Sequence, residues 1–327
     1  MTPEAEVSTA PPETEELAEL RDEVWAGLRD GALSSRWFYD RRGSELFEEI
    51  TRLPEYYPTR TERALLVEHA TAWMGKLRPG ILVELGAGSA RKTRILLDAL
   101  QDERPGAVYV PLDVSADFLE TTARELRAEY PDLRVEPEVA DLLHPLEIAD
   151  HGPGPTLFAF LGSTLGNFAP DAAVGLLARI RDAMKPEDTF LLGVDLRPGP
   201  GKSLEELEAA YNDAQGVTAE FNRNMLFVLN DRAGTDFAPE YFAHRAFYDV
   251  PTGRIEMHLV ASTAMRVRVP GRGDIHFEPD DSIRTEISSK YDPVVVDELF
   301  RAAGLARTDW LPDDHGRYAM VLARPVA

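Results

Sequence analysis

Residues 81–93 read ILVELGAGSARKT, and the amphipathic stretch that starts there continues through Arg94–Leu100. The run 81–85 is short, apolar and without alternation, the pattern of a strand covered on both faces. Gly86 and Gly88 follow it, and glycine lets the chain turn tightly and lets its backbone approach another group closely. A helix after such a turn offers unpaired N–H groups at its start. Strand, glycine turn and helix in this order predict the opening unit of an open α/β sheet.

Working outward, the same alternation recurs. AVYVPLDV (107–114), LRVEPEVA (133–140), TLFAFLG (156–162) and TFLLGVDL (189–196) read as strands, with helices over about 116–129 and 171–184. Apolar strands alternating with helices predict a parallel, doubly wound sheet. After Asp195 the alternation breaks. Two helical stretches (203–214 and 217–229) precede the β-like runs RAFYDV, RIEMHLVAS, MRVRV, DIHF and IRTEISSK. A helix over 293–303 and the segments GLARTDWL and RYAMVLARP then predict a closing antiparallel hairpin. The expected division is a sheet domain of residues 61–196 and 291–327, and an α+β domain of residues 15–60 and 197–290 inserted into it. Residues 1–14, rich in Pro, Thr and Glu, are expected to be a disordered tail. The aromatic segment 35–62 fits either a helical cap packed on the sheet domain or a lid with tyrosines facing a ligand. Thr59 and Glu62 have the spacing of a capping box opening a helix.

Composition narrows the function. The 327 residues carry 57 acidic against 35 basic side chains, a net charge of −22 with pI near 4.7. That balance argues against binding the phosphate backbone of a nucleic acid. There are no cysteines, which excludes thiolate catalysis and Cys-based metal sites. The seven histidines show no metal-ligand spacing, so no metal is expected. No stretch has the length of a membrane span and the acidic N-terminus is unlike a signal peptide, so a cytoplasmic protein is the expectation, and the acidic surface makes a monomer the expected state.

A dinucleotide fingerprint would place a third glycine at position 91, where this chain has Arg91. Small residues at alternate positions, Gly86, Gly88 and Ala90, resemble instead the loop of class I S-adenosylmethionine-dependent methyltransferases. Asp113 ends the second strand, where a carboxylate can accept from both ribose hydroxyls. Asp141 follows the third, on the side that meets an adenine amino group. Each alone is ordinarily a cap or loop residue; in register at successive strand ends they mark a cofactor site. After the fourth strand comes LGSTLGNF (161–168), whose Asn167 carries both a donor and an acceptor, suited to an amino acid's ammonium and carboxylate. In RTEISSK (284–290), strand alternation puts Glu286 and Ser288 on one face, a fork able to hold two polar edges of a small ring.

Six segments, PEYYPTRTE (54–62), ELGAGSARKTR (84–94), FLGSTLGNF (160–168), YNDAQGVTAEFNRN (211–224), RIEM (254–257) and IRTEISSK (283–290), closely resemble the histidine-specific Nα-methyltransferases of ergothioneine biosynthesis, over about residues 35–325. One departure is Gly-Ala-Gly in the loop, where many relatives have Gly-Ser-Gly. The resemblance implies a class I methyltransferase-type sheet with a dedicated substrate-binding domain. It implies S-adenosylmethionine as methyl donor, with S-adenosylhomocysteine as product, and L-histidine as the substrate, trimethylated on its α-amine to hercynine. By the same resemblance Gly86, Lys92, Asp113, Asp141 and Leu142 bind the cofactor, alongside Gly88, and Lys92 holds its carboxylate. Asn167 and Tyr211 take the substrate's carboxylate and amine with Tyr56 beside them. Tyr39 reaches the amine, Met257 lines the substrate, and Glu286 with Ser288 reads the imidazole. For Tyr39 and Tyr57, core packing with the hydroxyl at a rim stays a live alternative. The competing readings are the same chemistry on tryptophan, a non-catalytic sensor of S-adenosylmethionine or histidine, and a dinucleotide-dependent dehydrogenase.

Overall fold

Alternating side chains of the central strands are buried on both faces, and this gives the fold its layers. The computed structural model describes residues 14–114, 116–142, 144–146, 148–149 and 151–326. Of the tail expected over residues 1–14, only Thr14 lies within them; its hydroxyl accepts from Leu17 N and caps the first helix.

In chain order the elements are α1 (Glu15–Arg29), a 3-10 turn (Ser35–Phe38), α2 (Arg41–Ile50), α3 (Tyr57–Leu77), β1 (Ile81–Leu85), α4 (Arg94–Glu103), β2 (Val108–Asp113), α5 (Ala116–Glu129), β3 (Arg134–Val135), β4 (Glu138–Val139), β5 (Thr156–Phe160), a 3-10 turn (Thr164–Asn167), α6 (Pro170–Ala183) and β6 (Thr189–Asp195). There follow α7 (Leu204–Ala209), α8 (Val217–Ala233), β7 (Phe242–Asp249), β8 (Arg254–Ala261), β9 (Met265–Val269), β10 (Gly273–Phe277), β11 (Ser282–Ser289), α9 (Pro293–Ala303), β12 (Leu305–Pro312) and β13 (Tyr318–Pro325).

The main sheet runs β12-β13-β6-β5-β1-β2-β3, with β4 also paired to β2. Strands β6, β5, β1, β2 and β3 are parallel; β13 is antiparallel to β6 and β12 to β13. This is the doubly wound, class I methyltransferase-type sheet expected, closed by the expected hairpin. Along β1, Ile81, Val83 and Leu85 pack on one face with α6 and α9, through Leu176, Ile180 and Phe300. Leu82 faces the other way, into a core with Leu66 and Trp73 of α3, Leu96 and Leu100 of α4 and Ala123 of α5. Two neighbours of β1, β2 and β5, were laid down by chain segments leaving in opposite directions, so the crevice at their carboxyl ends is the sheet's switch point.

Two expectations need correction. LRVEPEVA is not one strand: β3 and β4 are two-residue pieces either side of Glu136 and Pro137, since Pro137 has no N–H to give the ladder. Thr59 and Glu62 do not form a capping box. Helix α3 starts earlier, at Tyr57, with Pro58 in its first turn, and the Glu62 carboxylate is buried and bonded elsewhere.

The described residues form two compact units: one of residues 14–49, 214–245 and 257–286, the other of residues 50–213, 246–256 and 287–326. The second contains the main sheet. Within the first, Phe38 stacks on Phe221 at 4.5 Å and Asp40 caps α2 through Gly43 N while accepting from Asn224 at 2.8 Å. A three-stranded sheet has the order β11-β8-β7, and β9 pairs antiparallel with β10. No helix among the described residues is long and apolar enough to cross a membrane.

Candidate active site

At the carboxyl end of β1 the chain takes up left-handed backbone at Gly86 (φ +67°) and Gly88 (φ +52°), and again at Ala90 (φ +49°). The turn is held from β2: Gly86 N and Ala87 N both donate to Leu112 O, at 2.9 and 3.0 Å, and Gly88 N donates to the Asp113 carboxylate at 3.1 Å. A Cβ placed on Gly86 or Gly88 would meet nothing within 4 Å. The two glycines therefore border open space beside a carboxylate at the switch point, a cradle that fits a nucleoside-bearing cofactor. Asp113 pairs with Val139 across β2 and β4, so Asp141, two residues on, emerges at the neighbouring strand end. Asp141 is exposed, with its carboxylate 3.1 Å from His144 Nδ1; Leu142 is half-buried against the sheet core.

Beneath this loop lie two buried carboxylates. Glu84 accepts from Thr93 Oγ1 at 2.6 Å and from the Tyr109 hydroxyl, and burial, only partly offset by those bonds, pushes its pKa up to about 7. Glu62, also buried, accepts from Tyr318 at 2.6 Å and from Gly162 N at 2.7 Å, and pairs with Lys92. One side chain of α3 thereby ties together the turn before α4, the loop after β5, and β13.

A second cluster gathers at the carboxyl end of β6. Asp195, buried, receives the Tyr57 hydroxyl at 2.7 and 2.9 Å, Lys202 Nζ at 2.5 Å and Lys290 Nζ at 2.9 Å. Burial alone would raise its pKa, but Lys202 and Lys290 together hold it below the ordinary carboxylate value. Burial brings Lys202 down to about 8. Lys290 also donates to the Tyr211 hydroxyl and to Ser288 Oγ, both at 2.8 Å, and those hydroxyls lie 3.0 Å apart. The Tyr56 ring meets that of Tyr211 edge-on at 6.3 Å. Asn167 closes the 3-10 turn after β5, half-buried.

With this geometry in place, the comparison with known proteins decides the family. A profile described as histidine-specific methyltransferase, SAM-dependent, matches residues 20–325. The chain belongs to this family. The histidine N-alpha-methyltransferase of Mycobacterium tuberculosis (strain CDC 1551) is 41% identical over 308 residues, 93% of this chain and 94% of that protein. The histidine N-alpha-methyltransferase of Mycolicibacterium smegmatis is 40% identical over 307 residues, with the same coverage. Ergothioneine biosynthesis protein 1 of Neurospora crassa is 29% identical over 326 residues, covering 93% of this chain and 35% of that protein. This methyltransferase is thus an enzyme whose methyl donor is S-adenosylmethionine, rather than a sensor or a dinucleotide-dependent dehydrogenase.

Of the residues singled out from the sequence of the methyltransferase, one unit contains Tyr56, Gly86, Gly88, Lys92, Asp113, Asp141, Leu142, Asn167, Tyr211 and Ser288. The other contains Tyr39, Met257 and Glu286. Tyr39 is 47% exposed, with its ring 6.0 Å from those of Phe47 and Phe221; Met257 is buried and Glu286 half-buried. Tyr57 is no rim residue: its ring is fully buried and its hydroxyl is spent on Asp195. Sequence reasoning missed Glu62, Asp195, Lys202 and Lys290. Asp195 carried a usable signal, since it ends a strand as Asp113 does; two buried lysines carry none, because lysine is ordinarily a surface residue.

Proposed function

We propose that this methyltransferase transfers methyl groups to the α-amine of L-histidine, three in succession, to give hercynine at the start of ergothioneine biosynthesis, and that it does so as a monomer. The observation that carries the reading is the histidine-specific family match over residues 20–325 of a chain whose sheet ends in an open glycine cradle. Bound in that cradle, S-adenosylmethionine supplies an electrophilic methyl group. Gly86 and Gly88 would admit its chain and sugar, Asp113 would accept from the ribose, Asp141 and Leu142 would meet the adenine, and Lys92 would take the carboxylate.

The protein's own residues then have three tasks. Asn167 and Tyr211 hold the amino acid by its carboxylate and amine ends. Glu286 and Ser288, with Met257, hold the ring, Glu286 accepting the imidazole N–H. Tyr56 lies beside the amine, and Tyr39 passes the amine's proton to water, since the amine attacks only when neutral and that of a free amino acid titrates above the about 7.7–8.0 of a peptide-like α-amine. Each methylation removes an N–H donor and the third leaves a fixed positive charge, so aromatic faces suit substrate and product alike. Most of the rate follows from alignment of the held amine with the methyl group.

Calorimetric titration of Glu286→Ala tests the substrate assignment. The variant is expected to bind S-adenosylhomocysteine normally and to lose most of its preference for histidine over phenylalanine, a ratio a buried hydrogen bond can set at about 10⁴. Unchanged histidine affinity would overturn the role given to Glu286.

A further inference from the structure

Lys290 is 1% exposed, and its ammonium has three N–H bonds and three acceptors: Asp195 Oδ2 at 2.9 Å, the Tyr211 hydroxyl at 2.8 Å and Ser288 Oγ at 2.8 Å. A lysine ammonium donates and never accepts, so both hydroxyl oxygens must accept from it. The two hydroxyls are also 3.0 Å from each other. Between them they own two protons, and only one proton can lie along the line that joins them. If Tyr211 donates to Ser288, the serine oxygen has accepted twice and its own proton points out of the triangle. If Ser288 donates to Tyr211, it is the phenol proton that points out. In both arrangements the pair presents one outward O–H. Without the ammonium, the same hydroxyls could accept as readily as donate. Asp195 braces the ammonium from behind, and Lys202 and Tyr57 brace Asp195 in turn. Two ammonium groups against one carboxylate also leave this buried cluster with a net positive charge, which favours an electron-rich partner.

We propose that Lys290 is a positioning residue that fixes the Tyr211–Ser288 pair as a hydrogen-bond donor, so that the amino acid is recognised there through an acceptor, either its carboxylate or the bare nitrogen of a neutral imidazole. The inference rests on the substrate reading above and adds to it the origin of the pair's polarity.

Lys290→Met tests it, because Asp195 keeps Lys202 and Tyr57 as partners when the ammonium is removed. Calorimetry would compare wild type and variant against L-histidine, L-histidinol, which lacks the carboxylate, and a pyrrolylalanine, which lacks the bare ring nitrogen. S-adenosylhomocysteine affinity serves as the measure of an intact fold. Histidine binding is expected to weaken about tenfold or more with S-adenosylhomocysteine unaffected. Discrimination against one analogue should collapse with it: histidinol if the carboxylate meets the pair, pyrrolylalanine if the ring nitrogen does. Lys290→Gln, which keeps N–H donors but adds an acceptor, should fall between Lys and Met. Equal losses for all three ligands would reduce Lys290 to a packing role, and unchanged histidine affinity in Met or Gln variants would overturn the proposal outright. A wild-type protein that binds no histidine would instead overturn the substrate reading.

Discussion

Glu84 is a carboxyl group held in a strand whose other side chains are apolar and buried. Its pKa, pushed from 4.5 to about 7 chiefly by burial, makes the fold's stability depend on pH. A carboxyl with a folded pKa above its unfolded one binds its proton more tightly in the fold, so stability falls as pH rises from about 4.5 to 7 and is level above. The span corresponds to about 3 kcal/mol at most. Glu84→Gln is expected to remove this slope: urea denaturation at pH 5 and pH 8 should differ less for the variant than for wild type, and equal differences would contradict it. Asp195 works in the opposite sense, since its lysines keep it charged. Asp195→Asn leaves two buried ammonium groups facing an amide. Losing one partner of a buried ion pair costs about 3–5 kcal/mol, and the variant should show a correspondingly lower urea midpoint.

At the scale of elements, the glycine turn and the contacts under it divide stability from binding. Gly86→Ala places a side chain at φ +67° in open space, so the fold should lose only about 1–2 kcal/mol while the cradle is obstructed. S-adenosylhomocysteine affinity should fall much further than stability; an unaffected affinity would move the cofactor elsewhere. Gly193→Ala does the reverse. Its Cβ would stand 2.2 Å from Glu62 Oε1 and 2.7 Å from the Tyr318 hydroxyl, so thermal unfolding should show a loss of about 1–3 kcal/mol. The central strands were legible because burial on both faces makes them apolar throughout, and the glycine turn because only small residues suit its backbone. The break at Glu136 and Pro137 was visible in principle through the proline. The start of α3 was misplaced because the Thr59–Glu62 spacing imitates a cap, whereas Glu62 serves contacts with Gly162 and Tyr318 that no local pattern records. The Asp195 cluster was illegible for the same reason: its lysines come from α7's approach and the end of β11, joined only by folding.

For the molecule as a whole, a net charge of −22 sets up self-repulsion that salt screens. Melting temperature should rise between about 0.01 and 0.15 M salt, and a falling value would mean that attractive surface pairs outweigh the net charge. The family and its cofactor could be read from short segments spread along the chain. Resemblance, rather than periodicity, supplied the substrate, because strand alternation at Glu286 and Ser288 says only that two polar groups share a face. The central claim is therefore best tested on all candidate substrates together. The pure protein would be incubated with S-adenosylmethionine and the twenty common amino acids, and the pool examined by mass spectrometry. The account predicts histidine shifted by one, two and three methyl masses with the other nineteen unchanged. Methylated tryptophan with histidine untouched would contradict the reading of Glu286 and Ser288, and no methylated amino acid at all, with S-adenosylmethionine binding shown separately, would contradict the proposed reaction.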